Sequence, residues 1–247
     1  MNISKRLNRL AEMVTEGSRL ADVGTDHGYV PLCLCRQGKI PSAIAMDIGE
    51  GPLERAKEHI REAGLGNYIE TRLSDGLSAL EEGEADTILI AGMGGALMER
   101  ILDKGGKALE FAKELVLQPQ SEIWKVRRWL AANGWRIVCE DIVLDEGKFY
   151  PMFQAEKGCP EKYNEQELLF GKSALQSSPQ VMREFLEKRL KSIRKIREGL
   201  PEGREESRIR NRREELEKEI KLLERTLLEY RKGKGISDEV SGDNRKD

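Results

Sequence analysis

Two acidic residues and two glycines stand at the ends of two short apolar runs, where they could bind a nucleotide-like ligand. The first run, residues 19–23, breaks into a turn containing Gly24, Asp26 and Gly28, and the second ends at Asp47, about one βα unit later. Glycines let the backbone pass close to a ligand, and a carboxylate after the second strand can hold both hydroxyls of a ribose. This spacing predicts a site for an adenosine-containing cofactor in a doubly wound α/β sheet.

The residue inside the turn distinguishes between cofactors. A dinucleotide fingerprint has a second glycine two residues after the first, where the backbone approaches a pyrophosphate, but this chain has Asp26 there. A carboxylate would repel the doubly charged pyrophosphate, whereas it is compatible with the cationic sulfonium and ammonium of S-adenosylmethionine. The turn therefore favours a methyltransferase over a nicotinamide-dependent dehydrogenase, the nearest different enzyme.

Asp26 and His27 are adjacent polar residues in the turn nearest the expected sulfonium. Methyl transfer is a direct displacement, in which an enzyme mainly positions nucleophile and electrophile. Attack by a ring nitrogen such as adenine N1 leaves a cation, which the Asp26 carboxylate could stabilise or relieve of an amino proton. We predict both residues as catalytic. For His27 the alternatives are orientation of the cofactor and a turn histidine bonded to backbone.

Two further segments follow the third and fourth predicted strands at the same edge of the sheet. Asp75 and Gly76 follow the third strand, where a carboxylate can accept from the adenine amino group, although Asp-Gly is also a common turn. Gly92 and Met93 belong to the glycine-rich residues 91–95, at the rim where methyl transfer would occur. Met93 could line the methyl pocket, and a flexible strand-to-helix turn is the alternative for the glycines.

The elements that position these residues alternate between short apolar runs and helical patterns. Strands are predicted over residues 19–23, 43–47, 69–73, 86–91 and 114–118, and helices over residues 2–16, 30–37, 51–63, 94–102 and 121–133. This alternation indicates a mostly parallel sheet with right-handed crossovers. Residues 135–144 and 149–156 flank a turn and predict an antiparallel hairpin. Parallel strands closed by such a hairpin are typical of the class I methyltransferase Rossmann-like sheet.

A charged helical region follows the hairpin. Met182, Leu186, Ile193, Ile196 and Leu200 follow three- and four-residue spacing, with Arg189 in one seam position, and residues 209–230 resume the pattern. Because residues 201–203 contain Pro and Gly, we predict two helices that form an antiparallel coiled-coil hairpin. The predicted domains are a cofactor-binding catalytic domain over residues 1–158, the helical domain over residues 159–234 and a disordered tail over residues 235–247.

Charge is distributed unevenly between these domains. Residues 1–159 carry 20 basic and 25 acidic side chains, whereas residues 160–234 carry 20 and 15. A basic appendage on an acidic body indicates a polyanionic partner, with a solvated helical face as the alternative. Four cysteines without a CxxC pair and only two histidines argue against a structural metal site. With no secretory signal and no apolar run near the ~20 residues that span a bilayer, we expect a cytoplasmic protein without membrane contact.

Six segments together resemble a known family. In chain order they are ISKRL (3–7), ADVGTDHGYVP (21–31), AMDI (45–48), SDGL (74–77), AGMGG (91–95) and LQPQ (117–120), and they resemble the bacterial tRNA (adenine22-N1)-methyltransferases, the TrmK family. The resemblance spans residues 2–156, and the helical hairpin corresponds to the family's C-terminal coiled-coil domain. It implies methyl transfer from S-adenosylmethionine to N1 of adenosine 22 in the D-loop region of tRNA, with Asp26 as the catalytic carboxylate.

Site residues follow from the turn pattern and the resemblance together. An N-terminal basic residue, Arg6, could approach the cofactor carboxylate. The cofactor-binding residues that we predict are Arg6, Asp22, Gly24, His27, Gly28, Tyr29, Asp47, Ile48, Asp75, Gly76, Gly92 and Met93. The substrate-binding residues are Gln118 and Pro119 at the end of the fifth strand, Tyr29 as a stacking residue, and Arg189, Arg194, Arg208 and Arg212 as phosphate contacts. The alternative for Gln118 and Pro119 is a solvated loop, the alternative for Tyr29 is packing, and the alternative for the arginines is salt bridges along the helices.

Two other classes of function stay open at this point. A class I methyltransferase acting on a protein or small molecule would not need residues 161–247. A non-catalytic RNA-binding protein with the same fold would bind the cofactor weakly, against which the intact Gly24, Gly28 and Asp47 argue. We expect a monomer or weak dimer that binds tRNA and no metal.

Overall fold

The structure, a computed structural model, describes residues 3–159, 161–172, 178–201 and 207–237. The chain divides into two compact units, of which the first ends at Ser173 and the second begins at Ala174. The division that we predict after residue 158 therefore comes too early. The functional roles assigned to the two parts stay predictions.

The first unit is built on a seven-stranded sheet. Its strands are β1 (Leu20–Val23), β2 (Ala43–Asp47), β3 (Ile69–Leu73), β4 (Thr87–Gly94), β5 (Glu114–Ser121), β6 (Trp135–Asp145) and β7 (Lys148–Lys157). Their order is β3-β2-β1-β4-β5-β7-β6, with β1 to β5 parallel and β7 antiparallel to both of its neighbours. The strand order reverses between β1 and β4, and open α/β sheets bind ligands beyond the carboxyl ends of strands at such a point. The predicted mostly parallel sheet with an antiparallel terminal hairpin is confirmed.

Helices cover both faces of this sheet. They are α1 (Lys5–Met13), α2 (Tyr29–Arg36), α3 (Glu50–Glu62), α4 (Gly95–Asp103), α5 (Gly106–Phe111), α6 (Ile123–Ala132) and α7 (Glu165–Phe170). Side chains of β4 alternate between two apolar clusters, with Ile88 and Ile90 in one and Leu89 in the other. Because both faces of the central strands are buried, these strands are continuous apolar runs in the sequence.

Several element boundaries differ from the prediction. Helix α1 begins at Lys5 because Ser4 caps it, accepting from the Leu7 amide at 3.3 Å, and it ends at Met13, short of residue 16. Strands β4 and β5 extend to Gly94 and Ser121, where they remain paired across a bulge. Part of the predicted glycine loop is therefore strand. Glycine is uncommon in strands, so the sequence did not predict this extension. The six-residue α5 gave no periodicity by which to predict it.

The hairpin of β6 and β7 closes through two residues in the left-handed region. Glu146 and Gly147 have φ of +47° and +74°, and Asp145 pairs with Lys148 on either side of them. Two-residue loops with positive φ match the twist of the adjoining strands. The predicted hairpin is confirmed in both position and turn.

Arg127, a member of a buried ion pair, also binds the segment that follows the hairpin. Arg127 and Glu140 are each 2% exposed and pair at 2.7 Å between Nε and Oε1. Arg127 also donates through Nη1 to the Leu168 carbonyl at 2.6 Å, and Phe170 is buried. Helix α7 is therefore part of the first unit, which explains why that unit continues beyond residue 158.

The second unit consists of α8 (Pro179–Glu198) and α9 (Ser207–Ser237). Arg213 donates to the carbonyl of Pro201 at 2.9 Å, so the start of α9 lies beside the end of α8 and the helices are antiparallel. Their buried residues are Met182, Leu186, Leu190 and Ile193 in α8, and Leu216, Ile220, Leu223 and Leu227 in α9.

Two predicted seam positions are wrong. Leu190 occupies the position given to Arg189, since 182, 186, 190 and 193 form one stripe, and Ile196 is 46% exposed. Helix α9 also continues three residues past 234, so the predicted tail begins too early. The glycine of the predicted break, within residues 202–206, and tail residues 238–247 lie outside the described residues. No helix in the described ranges has the length and apolarity to cross a membrane.

Candidate functional site

A cavity of about 340 Å³ opens at the carboxyl ends of β1 and β4, where the strand order reverses. Seven of the residues predicted from the sequence line it: Arg6, Asp22, Gly24, Asp26, His27, Tyr29 and Gly92. The sheet topology thus brings together residues from the N-terminal helix, the first turn and the glycine-rich strand. Thr25 and Gln120 also line this cavity. Both lie in segments that carry the family resemblance, although neither is among the predicted site residues.

A larger cavity of about 510 Å³ lies at the amino-terminal ends of β4 and β5, opposite to the smaller one. Two of its acidic side chains are bonded to neighbouring residues, and Asp86 pairs with Arg19 at 2.8 Å and with Lys113 at 2.9 Å. The buried Glu114 accepts from the Thr87 hydroxyl at 2.8 Å and from the Gln154 amide at 2.7 Å. Because these groups satisfy each other, we place the functional site at the smaller cavity.

The turn after β1 has a backbone that glycine makes possible. Gly24 and Gly28 have φ of +76° and +67°, and a Cβ on Gly24 would overlap the Met93 side chain. The amides of Gly24 and Thr25 both donate to the Met46 carbonyl at 2.8 Å, which fixes the turn to β2. Met93 therefore packs beside the turn but is not among the residues that line the cavity, and its place in the methyl pocket stays a prediction.

Asp22 places a buried carboxyl in the cavity wall. It is 7% exposed and accepts from the Thr25 hydroxyl at 2.6 Å. Burial raises the pKa of Asp22 to about 6, the nearby Asp47 charge adds to the rise, and the Thr25 hydrogen bond opposes it. A cationic ligand in the cavity would favour the ionised carboxylate, so this residue type suits a ligand with an ammonium or sulfonium group.

Asp26 lies at the mouth of the cavity with its side chain 67% exposed. Its Oδ1 accepts from Arg55 Nη2 at 3.0 Å and lies 3.4 Å from His27 Nε2. Arg55 belongs to α3, and the sequence did not identify it because a basic residue on an exposed helix face carries no functional signal. The carboxylate is thus held in place while it stays open to solvent and to a substrate.

Three rings cluster beside Asp26. The centroids of His27, Tyr29 and His59 lie 5.2 to 5.5 Å apart with interplanar angles of 10° to 20°. His59 Nδ1 lies 3.1 Å from the His27 carbonyl oxygen. Nδ1 of His27 is buried and has no hydrogen-bond partner among the residues that the structure describes. Nδ1 of His27 therefore makes no backbone bond within the described ranges, unlike the turn histidine that was one of its two alternatives.

Gln118 connects the N-terminal helix to the glycine-rich strand. Its Oε1 accepts from Arg6 Nη1 and from the Gly92 amide, each at 3.2 Å. The Arg6 guanidinium also lies over the Tyr150 ring at 5.1 Å. Gln118 is 1% exposed, and Pro119 is buried as well. Both therefore lie behind the cavity wall instead of facing a substrate in this structure.

The remaining predicted cofactor residues follow β2 and β3, beside the cavity. Asp47 accepts from the Gly49 amide at 2.8 Å through Oδ1, Ile48 is 70% exposed, and Asp75 is exposed. Gly76 has φ of +62° and packs against Ile101. A carboxylate, an exposed apolar side chain and a second carboxylate in this order fit a ribose and an adenine ring.

Comparison with known proteins identifies the family. The family model for TrmK, the tRNA (adenine(22)-N(1))-methyltransferases, matches residues 20–225. The chain belongs to this family. The tRNA (adenine(22)-N(1))-methyltransferase of Bacillus subtilis is 39% identical over 158 residues, which cover 64% of this chain and 66% of that protein. The chain thus aligns with about two thirds of that relative's length.

Solved structures agree over more of the chain. The crystal structure of the B. subtilis TrmK enzyme matches with a TM-score of 0.84 at 31% identity, covering 92% of this chain and 99% of that one. A Streptococcus pneumoniae protein in complex with S-adenosyl-L-methionine matches with a TM-score of 0.80 at 36% identity, covering 92% and 100%. The predicted TrmK family and class I methyltransferase fold are confirmed.

The predicted phosphate-binding arginines of this TrmK chain lie on α8 and α9. Three of them form ion pairs: Arg189 with Glu219 at 2.8 Å, Arg194 with Glu224 at 2.6 Å and Arg212 with Glu215 at 3.0 Å. Arg208 is exposed. Exposed pairs of this kind contribute only about 0 to 1 kcal/mol, so they can exchange a carboxylate for a phosphate. Within the described ranges, no group of three His, Cys, Asp or Glu side chains could hold a metal ion.

Proposed function

We propose that this protein transfers a methyl group from S-adenosylmethionine to N1 of adenosine 22 in tRNA, in the cytoplasm and without a metal. The observation that carries the proposal is the position of the exposed Asp26 carboxylate at the mouth of the glycine-lined cavity, in a chain of the TrmK family. When bound, S-adenosylmethionine supplies an electrophilic methyl group on a sulfonium. The steps that this chain performs are binding, orientation and stabilisation of charge.

Residues of both charges suit the amino acid end of the cofactor. Arg6 presents a guanidinium to the cavity and Asp22 a carboxyl, which match a carboxylate and an ammonium respectively. Gly24 and Gly92 keep the wall free of side chains. Asp47, Ile48, Asp75 and Gly76 would hold the ribose and adenine, and Gly28, Tyr29 and Met93 support the turn between the two ends.

Asp26 is placed for the change in charge at the target base. Adenine N1 is neutral before methylation and the ring is cationic afterwards, so a carboxylate beside it stabilises the transition state more than the ground state. Asp26 can also accept from the exocyclic amino group. His27 and Tyr29 offer ring faces on which the base can stack.

Different parts of the chain would recognise the target base and the phosphate backbone of the tRNA. N1 lies on the Watson–Crick edge, so the adenosine must leave its pairing or stacking partners before it enters the site. Arg189, Arg194, Arg208 and Arg212 would bind phosphates, and they supply affinity without sequence information. Gln118 is buried and acts by positioning Arg6 and Gly92, from which it accepts hydrogen bonds. Pro119 is also buried, opposite Met93 in the strand register.

The test is methyl transfer from labelled S-adenosylmethionine to unmodified tRNA transcripts, followed by nucleoside mass spectrometry. A transcript with adenosine at position 22 should yield N1-methyladenosine at that position alone. A matched transcript with guanosine 22 should accept no label. Label on both transcripts, or on neither while the cofactor binds, would overturn the proposal.

A further inference from the structure

We infer that helix α3 positions the Asp26–Gly28 turn, and that Arg55 is the positioning residue for the Asp26 carboxylate. The inference rests on the proposed function, because it gives Arg55 an effect on rate through Asp26. Arg55 lies outside every motif that identifies the family in this sequence. Its contribution is visible only once α3 is packed against the turn.

Three residues of α3 contact the three turn residues one to one. Arg55 donates to Asp26 at 3.0 Å, and His59 Nδ1 lies 3.1 Å from the His27 carbonyl oxygen. A Cβ on Gly28 would lie 3.5 Å from the Ala56 Cβ, so backbone and helix already approach closely. Positions 55, 56 and 59 of a helix share one face, which α3 therefore presents to the turn.

The turn needs such support because it contains two consecutive left-handed residues. His27 and Gly28 have φ of +65° and +67°, and only glycine adopts this region without cost. A side chain such as that of His27 is disfavoured there by roughly 1–2 kcal/mol. Donation from His59 to the His27 carbonyl fixes the peptide that a relaxed turn would reorient. Asp26 directly precedes His27, so the same contact restrains the backbone from which the Asp26 side chain projects.

Arg55 also selects which Asp26 oxygen stays available. Arg55 and His27 both face Oδ1, and within the described part of the chain no hydrogen bond reaches Oδ2. Oδ2 is therefore the oxygen that can accept from the base. Because the ion pair is half exposed it adds little to stability, whereas misplacing a reacting group by about 1 Å can cost as much as 100-fold in rate.

The first experiment compares Arg55→Gln and Arg55→Lys with the full-length wild type. Arg55→Gln should lower kcat for tRNA methylation about tenfold, with KM for S-adenosylmethionine and the thermal midpoint unchanged. Arg55→Lys keeps a donor and a charge, and it should recover at least half of the lost rate. Arg61→Gln is the control, since Arg61 lies on the same helix with a 79% exposed side chain and pairs only weakly with Glu58 at 3.8 Å.

The second experiment tests whether Arg55 acts through Asp26. Single-turnover rates with excess enzyme are measured for Arg55→Gln in the wild-type and Asp26→Asn backgrounds. The inference predicts a tenfold loss in the first background and less than a twofold loss in the second. Equal losses in both backgrounds would overturn the inference. A salt-dependent rise in KM for tRNA instead of a fall in kcat would also overturn it, because it would mean that Arg55 contacts the RNA. A wild type that makes no N1-methyladenosine would reject the proposed function instead.

Discussion

The charge on Asp22 changes near pH 6 in the folded protein. Burial raises the pKa of this carboxyl from 3.8 to about 6, so the folded state retains a proton that the unfolded chain has already released. Stability therefore falls as pH rises from about 4 to about 6 and is level above that. Two pKa units correspond to roughly 3 kcal/mol of unfolding free energy.

Asp22→Asn should remove this dependence. Relative to the wild type, its unfolding free energy should rise by up to about 3 kcal/mol between pH 4 and pH 7, because the asparagine never becomes charged. Wild-type affinity for S-adenosylmethionine should increase through pH 6 with release of a proton, and the variant should show neither effect. Urea denaturation and calorimetric titration in two buffers measure these quantities. Parallel pH profiles for the two proteins would contradict this assignment.

Gly24 gives a second prediction at the residue scale. Gly24→Ala adds a Cβ at φ of +76° and displaces Met93 from the turn, so S-adenosylmethionine binding should weaken at least tenfold. Gly17→Ala is the matched control, since Gly17 has φ of +78° and nothing within 4 Å of the added carbon. Both variants should lose similar stability, and only the first should lose affinity. Equal affinities by calorimetry would show that the turn does not hold the cofactor.

Arg127 carries the main prediction at the scale of elements, because it joins α6, β6 and α7. Arg127→Met removes the Arg127 side of the buried ion pair with Glu140 and the donor to the Leu168 carbonyl, which should destabilise the first unit by about 3–5 kcal/mol. Adding Glu140→Leu should restore most of that loss. Arg128→Met, at an exposed position next in the chain, loses only a contact of its guanidinium over the Trp124 ring at 4.8 Å and should change stability by less than about 1 kcal/mol. A double variant as unstable as the single one would contradict the ion-pair explanation.

Elements with local signals could be predicted from the sequence, and those that depend on packing could not. Of the five parallel strands, β1, β2, β4 and β5 contain short apolar runs, and Gly24, Asp26 and Asp47 follow from spacing along one βα unit. The extension of β4 to Gly94 depends on pairing with β5, which no local pattern shows. The roles of Arg55 and Gln118 likewise arise from contacts between elements far apart in sequence.

The two-unit organisation of the whole molecule predicts the effect of truncation. A chain that ends at Lys172 keeps α7 and should bind S-adenosylmethionine normally while losing tRNA methylation at least 100-fold, because it lacks the arginines that we propose bind phosphates. A chain that ends at Gly158 also loses the Leu168 carbonyl and Phe170, so it should be less stable. Full activity of the shorter enzyme on tRNA would show that α8 and α9 are not needed. Activity on a small acceptor alone would favour the other class of methyltransferase.

Asp26 is the residue on which the whole account depends. The decisive measurement is the single-turnover rate of N1-methyladenosine formation at position 22 of tRNA by the full chain and by Asp26→Asn, with S-adenosylmethionine affinity measured in parallel. We predict that the rate falls about 100-fold or more while the cofactor affinity changes less than twofold, since Asp26 is exposed and we propose that it acts on the base. A variant that forms N1-methyladenosine at the wild-type rate would contradict the account.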